Sequence, residues 1–261
     1  MTQIHGHRGF RGLHPENSIK GFIEAKKLKV DAIELDLVVT KDLQLIVNHD
    51  PWLKEGQYMI NKTGEVPEET VNLFKKTFNE INQYALGTKR NLDFPEQIPA
   101  SHQIPSFEDV LEHAELQNVF WNIEIKSNTK WYGDYQPEPK EYAALVHEFI
   151  LNNNLMNDCL IQCFDSIFLN ALNELQPHYP LGLLVDNTLS ISMNLDKLDF
   201  KPNYYNPKES LVDQELISQI HAEEIECLVW TVNNEQRAKE LMSYGVDGLI
   251  TDYPNRMKSR D

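Results

Sequence analysis

The chain has 261 residues, 41% of them hydrophobic, and 40 acidic against 24 basic side chains give it a formal net charge of −16. That much apolar material builds a large core and excludes a disordered chain, while the negative field excludes nucleic acid and other polyanions as partners. No apolar run approaches the ~20 residues of a membrane span, so stable membrane insertion is not expected and a cytoplasmic location is.

The first predicted strand, residues 3–7, ends in the sequence HGHRG at His5–Gly9. Glu16 and Asn17, after Pro15, open a helix over 17–28, where capping and a direct role in a site both stay open. A second strand at 32–37 carries Glu34 and Asp36 on one face, because side chains alternate along a strand. A further apolar run, 43–48, follows after only Thr40–Asp42. Parallel strands need a crossover of about a dozen residues, so 34–49 reads as an antiparallel hairpin that brings His49 opposite Glu34 or Asp36.

Residues 51–105 are polar and turn-rich, with one plausible helix at 68–84, and are too long for an ordinary strand-to-helix loop. They read as a small insertion after the second strand, at the mouth of the fold. Beyond it, predicted strands at 121–126, 159–164, 181–185, 202–206, 227–232 and 247–252 alternate with amphipathic helices at 106–114, 141–151, 166–176, 214–222 and 234–244. Gly245 stands after the last long helix as a C-cap. Eight strand–helix repeats in one chain predict a (β/α)8 TIM barrel spanning residues 1–261 as one domain. An open doubly wound sheet fits less well, because no glycine-rich phosphate loop follows the first strand.

The face that carries Glu34 and Asp36, together with Glu124 from the third strand, places carboxylates at the C-terminal end of a barrel. Three such groups repel unless a cation binds them, and hard oxygen donors suit Mg²⁺ or Ca²⁺ better than zinc. A buried salt-bridge network with Arg8 and Lys126 is the rival reading. His7 and His49 form a candidate acid–base pair, able to take a proton from an attacking hydroxyl and return one to a leaving alkoxide. Arg8 and Lys126 are candidate donors to phosphate oxygens. Trp230 and Phe164 offer apolar walls for the carbon part of a substrate, with core packing as the alternative. His5 lies deeper in the barrel and reads as structural. Cys159, Cys163 and Cys227 are odd in number, lack CxxC spacing and read as reduced thiols.

The order of motifs resembles the glycerophosphodiester phosphodiesterase family from end to end. HRG at His7–Gly9 is followed by PEN at Pro15–Asn17, ELD at Glu34–Asp36 and HD at His49–Asp50. IPSFEDVL at Ile104–Leu111, EIK at Glu124–Lys126, WTVN at Trp230–Asn233 and GVDGLITDYP at Gly245–Pro254 complete the series. The resemblance implies a (β/α)8 barrel with a small insertion after the second strand. It also implies metal-dependent hydrolysis of small glycerophosphodiesters, such as glycerophosphocholine and glycerophosphoethanolamine, to glycerol 3-phosphate and an alcohol. His7 and His49 are then the acid and base, Glu34, Asp36 and Glu124 the ligands of one divalent ion, and Arg8 and Lys126 the phosphate contacts. The chain departs from the family at Gln162-Cys163-Phe164, where serine is usual in the middle; Cys163 should point away from the axis. A related phospholipid-cleaving barrel and a non-catalytic phosphometabolite-binding barrel are the alternatives.

Overall fold

The computed structural model describes residues 1–56, 58–89 and 91–257. β1 (Gln3–Gly6) leads through α1 (Ile19–Lys27) to β2 (Ala32–Val39), which folds back antiparallel into β3 (Leu45–Val47). Short pieces follow: β4 (Trp52–Leu53), β5 (Met59–Ile60), β6 (Val71–Asn72), α2 (Phe78–Ile81) and β7 (Tyr84–Ala85). After α3 (Phe107–Glu112) the chain alternates regularly: β8 (Trp121–Ile125), α4 (Pro139–Asn152), β9 (Cys159–Cys163), α5 (Ser166–Leu175), β10 (Leu181–Val185) and α6 (Ile191–Leu195). It ends with β11 (Tyr204–Pro207), α7 (Gln214–Ala222), β12 (Glu226–Val229), α8 (Glu235–Tyr244), β13 (Gly248–Thr251) and α9 (Pro254–Met257). The strands β1-β13-β12-β11-β10-β9-β8-β2 pair in that order, all parallel, and β1 pairs with β2 to close a (β/α)8 barrel.

The hairpin has the expected turn, and Leu37, Val38 and Val39 pair with Val47, Ile46 and Leu45. This register sets Asn48, whose N–H donates to the Asp36 carbonyl at 3.1 Å, beside the acidic strand. His49 therefore lies just beyond the last paired residue rather than directly across from Glu34 or Asp36.

One expectation fails locally, and one open choice is decided. The helix predicted over 68–84 is instead the two-residue strand β6, a 3₁₀ turn at Leu73–Lys75, the single-turn α2 and the start of β7. Val71 pairs with Leu53, and the Thr77–Glu80 capping box starts a new helix in the middle of the predicted one. Asn17 does not cap α1. Ser18 does, accepting from the Gly21 N–H, while Asn17 sits at φ 53° with its side chain turned toward Asp36.

Alternation sorts the barrel residues into two cores. Ile33, Leu35, Leu37, Ile123, Ile161 and Cys163 point outward into the main apolar cluster beneath the helices. Leu160, Leu228 and Ile250 form a small apolar plug inside the barrel. Cys163 points outward as predicted, and all three cysteines are free and buried. Among the described residues, no helix is long and apolar enough to cross a membrane.

The interior also holds polar pairs. The Asn206 amide donates to Gln162 Oε1 at 2.7 Å, and the Asn122 amide to His5 Nδ1 at 3.1 Å. His5 Nε2 in turn meets Gln3 Oε1 at 2.9 Å, so a neutral imidazole satisfies both neighbours. Burial lowers the His5 pKa to about 4, against a smaller opposing pull from Asp31. The unfolded chain then takes up a proton that the folded one refuses, so stability rises with pH through this window. As pH falls from about 6.5 to about 4, His5 should cost the fold up to about 3 kcal/mol. Urea midpoints followed against pH should show a shallower acid loss in His5→Gln; an unchanged slope would assign the acid loss to other groups.

Candidate active site

Glu34 and Asp36 on β2 and Glu124 on β8 project to one point at the C-terminal end of the barrel. The register pairs Asp36 with Glu124 and Glu34 with Asn122, so strand pairing alone brings the three carboxylates together. One ligand oxygen from each lies within 4.8 Å of the others, and all three side chains are buried.

Three buried acids need compensation, and two cations provide it. Arg8 Nε stands 3.2 Å from Asp36, and its Nη1 donates to Glu16 at 3.0 Å. Lys126 Nζ lies 2.5 Å from Glu124 and 3.6 Å from Asp36. Asn17 donates from its amide to Asp36 Oδ2 at 2.8 Å, and the Arg8 backbone N–H to Glu34 Oε2 at 2.7 Å. Burial pushes the Asp36 carboxyl up, but Arg8 and Lys126 outweigh it and hold the group well below the usual carboxylate range. Glu34 goes the other way, raised first by burial and then by its neighbours Asp36 and Glu124.

Glu34 Oε1 and Asp36 Oδ1 are buried and lack a hydrogen-bond partner. Orphaned carboxylate oxygens beside a third acid are the donor set that a hard divalent cation satisfies. The residues present therefore fit such an ion.

His7 follows β1 on the neighbouring wall. Its Nδ1 donates to Asp252 Oδ1 at 2.7 Å, and its Nε2 lies 4.0 Å from Glu34 Oε2. Burial lowers its pKa, with Asp252 opposing the shift. His49 is one-third exposed and donates from Nδ1 to Asp50 at 2.7 Å, while Lys54 pairs with the same carboxylate at 3.0 Å. Its ring makes no ion pair with the triad among the described residues, yet it lies close enough for its charge to favour ionised Asp36.

Phe164 and Trp230 meet edge to face at 5.4 Å after β9 and β12, and Trp230 Nε1 donates to the Asn206 carbonyl at 2.7 Å. A cavity of about 730 Å³ opens beside Arg8, Glu16 and His49 and is lined also by Trp52, Leu86 and Lys89.

Sequence reasoning missed three residues here. Asp252 holds His7, Asn233 holds Asp252, and Arg11 pairs with Glu16 at 2.6 Å and lies 3.8 Å from Asp252. Asn17 serves Asp36 rather than a helix end. Strand parity carried a signal for Asp252: it shares the inward face of Ile250 and stands beside the end of β1.

A (β/α)8 barrel with its buried acids at the C-terminal end is of the class that works on small ligands at that face. The sequence profile of the glycerophosphoryl diester phosphodiesterase family matches residues 7–256. A glycerophosphodiester phosphodiesterase of Bacillus altitudinis is 31% identical over 98% of this chain and 96% of its own. One from Bacillus subtilis is 30% identical over 95% and 83%. An Oleispira antarctica phosphodiesterase, solved with the product sn-glycerol-3-phosphate, has the same fold, with a TM-score of 0.79, 21% identity, and coverage of 98% and 95%. This chain belongs to the glycerophosphoryl diester phosphodiesterase family and is an enzyme of that activity, which sets aside the non-catalytic binding barrel.

Proposed function

We propose that the enzyme cleaves small glycerophosphodiesters, such as glycerophosphocholine and glycerophosphoethanolamine, to glycerol 3-phosphate and a free alcohol. Glu34, Asp36 and Glu124 hold one divalent ion, Mg²⁺ or Ca²⁺. When bound, the ion supplies Lewis-acid charge for the phosphoryl oxygens and for an attacking hydroxyl. The observation that carries this reading is the convergence of three buried carboxylates, two of them with an orphaned oxygen.

The chain's own residues do the rest. Arg8 and Lys126 donate to non-bridging phosphate oxygens, where fixed positive charge favours the transition state over the ground state. His7 and His49 form the acid–base pair: one accepts the proton of the attacking hydroxyl, and the other gives a proton to the departing alkoxide. Trp230 and Phe164 face the carbon part of the substrate. Residues 51–105 act as an insertion at the mouth of a single barrel domain, and the cavity they help to line gives the substrate room beside His49.

The test is direct. Purified protein is incubated with glycerophosphocholine or glycerophosphoethanolamine, with and without EDTA, and glycerol 3-phosphate is measured. Release is expected only without chelator and should return when Mg²⁺ or Ca²⁺ is added in excess. Release that survives complete chelation would remove the metal from the reading, and no release under any condition would reject the substrates.

A further inference from the structure

Asp252 and His7 come directly after β13 and β1, and Asn233 stands four residues beyond β12; their side chains form a chain of hydrogen bonds that runs from half-buried Asn233 to buried His7. Asn233 donates from its amide to Asp252 Oδ2 at 2.7 Å, and its carbonyl oxygen accepts the Asp252 backbone N–H at 3.0 Å. Asp252 Oδ1 then accepts from His7 Nδ1 at 2.7 Å. The backbone on either side is pinned too: Gly12 N–H donates to the Asp252 carbonyl at 2.9 Å, and His7 N–H to the Thr251 carbonyl at 2.8 Å.

We infer that Asp252, fixed by Asn233, is a positioning residue: it dictates which nitrogen of His7 carries the proton and aims Nε2 at the carboxylate triad. The inference rests on the two-histidine reading above. An ionised carboxylate has only acceptors to offer, so the His7 nitrogen that meets it must carry hydrogen. Asp252 is ionised: the Asn233 amide donates to its Oδ2 and the Arg11 guanidinium lies 3.8 Å from its Oδ1, and against the upward push of burial its surroundings hold the carboxyl down at about 2. The neutral imidazole therefore has its lone pair on Nε2, the atom 4.0 Å from Glu34 Oε2. That tautomer is ready to accept a proton at the triad.

Asn233 makes the arrangement rigid. Its amide engages both the side chain and the backbone of Asp252, which leaves that carboxylate one orientation. The histidine partner at the other end of the site is built differently. Asp50 follows His49 directly in sequence, is about a quarter exposed, and shares its charge with Lys54. Only His7 has a buried, doubly anchored carboxylate behind it.

The experiment has two arms. In the first, ¹⁵N-resolved spectra of the metal-free, substrate-free protein report the His7 tautomer. Nδ1–H is expected in the wild type and a shift to Nε2–H in Asp252→Asn, whose amide can donate to Nδ1. In the second, steady-state kinetics at saturating metal should show kcat of Asp252→Asn lowered by roughly 10²–10⁴-fold with KM within about threefold. Asn233→Ala keeps the carboxylate and should give a smaller kcat loss, about 10-fold, again at unchanged KM. It also serves if Asp252→Asn does not fold. An Nε2–H tautomer in the wild type overturns the inference, and so does a kcat within threefold of wild type in either variant that folds. Because the spectroscopic arm uses neither substrate nor metal, a failure of the proposed substrates would not mimic these results.

Discussion

Replacement of His7 or His49 by alanine is expected to lower kcat by about 10³-fold, with divalent-ion affinity within about threefold of wild type. Each imidazole is asked to move one proton, and positioned acid–base groups contribute on that scale. Removing both should cost little more than removing one, since groups that act as a unit are not additive. The two variants should differ in stability. His7 is buried against Asp252, so its loss leaves an ionised carboxylate whose side-chain partners among the described residues are Asn233 and the more distant Arg11. That should cost about 2 kcal/mol in urea unfolding. His49 is one-third exposed and bonded to a carboxylate that Lys54 also holds, so His49→Ala should stay within about 0.5 kcal/mol. Either variant retaining more than a tenth of wild-type kcat would take that histidine out of the proton pathway.

The barrel was legible because its strands are fixed by the most local of signals. Short apolar runs recur between amphipathic helices, and several of those helices have a capping residue ahead of them, such as Ser106, Asp165 or Asn234. The hairpin followed from chain length alone, since three residues cannot carry a parallel crossover. Residues 51–105 were opaque for the opposite reason. Strands of two residues have no periodicity to read; β4, β5, β6 and β7 exist because they pair with one another. Leu53, Tyr58, Val71, Leu73 and Ile81 bury together against Val38 and Ile46 of the hairpin.

The acids of the site were legible through strand parity, which puts Glu34, Asp36 and Glu124 on inward faces. Arg8 and Lys126 were legible beside them as ion-pair partners, but the polar supports were not. Asn17 has the composition of a cap, and only the left-handed turn at φ 53°, with Ser18 taking the cap, redirects it to Asp36. Asp252 contacts His7 across 245 residues of sequence, through a barrel closure that no local pattern specifies. Arg11 depends on the same closure and also lies over the ring of Phe94, 4.6 Å from its centroid.

Glu34→Gln and Asp36→Asn should both abolish divalent-ion binding and lower turnover by 10³-fold or more, yet move the stability of the metal-free protein in opposite directions. Without an ion, three carboxylates face two cations, and the cations are unevenly shared. Arg8, Lys126 and Asn17 all address Asp36, whereas Glu34 accepts one backbone N–H from Arg8 and has an orphaned oxygen. A glutamine at 34 keeps an acceptor for that N–H and removes the charge that Asp36 and Glu124 repel. The metal-free variant should therefore gain about 1 kcal/mol, a rise in Tm of roughly 2–4 °C. Asparagine at 36 instead strips the shared anion from two buried cations, which should cost about 3 kcal/mol. Metal at 100 times its Kd should stabilise the wild type by about 2.7 kcal/mol and neither variant. The discriminating measurement is thermal unfolding in EDTA and again in excess Mg²⁺ or Ca²⁺. If Glu34→Gln is destabilised in EDTA as much as Asp36→Asn, the triad is held together by ion pairing alone, and Glu34 is not kept there at a cost for the metal.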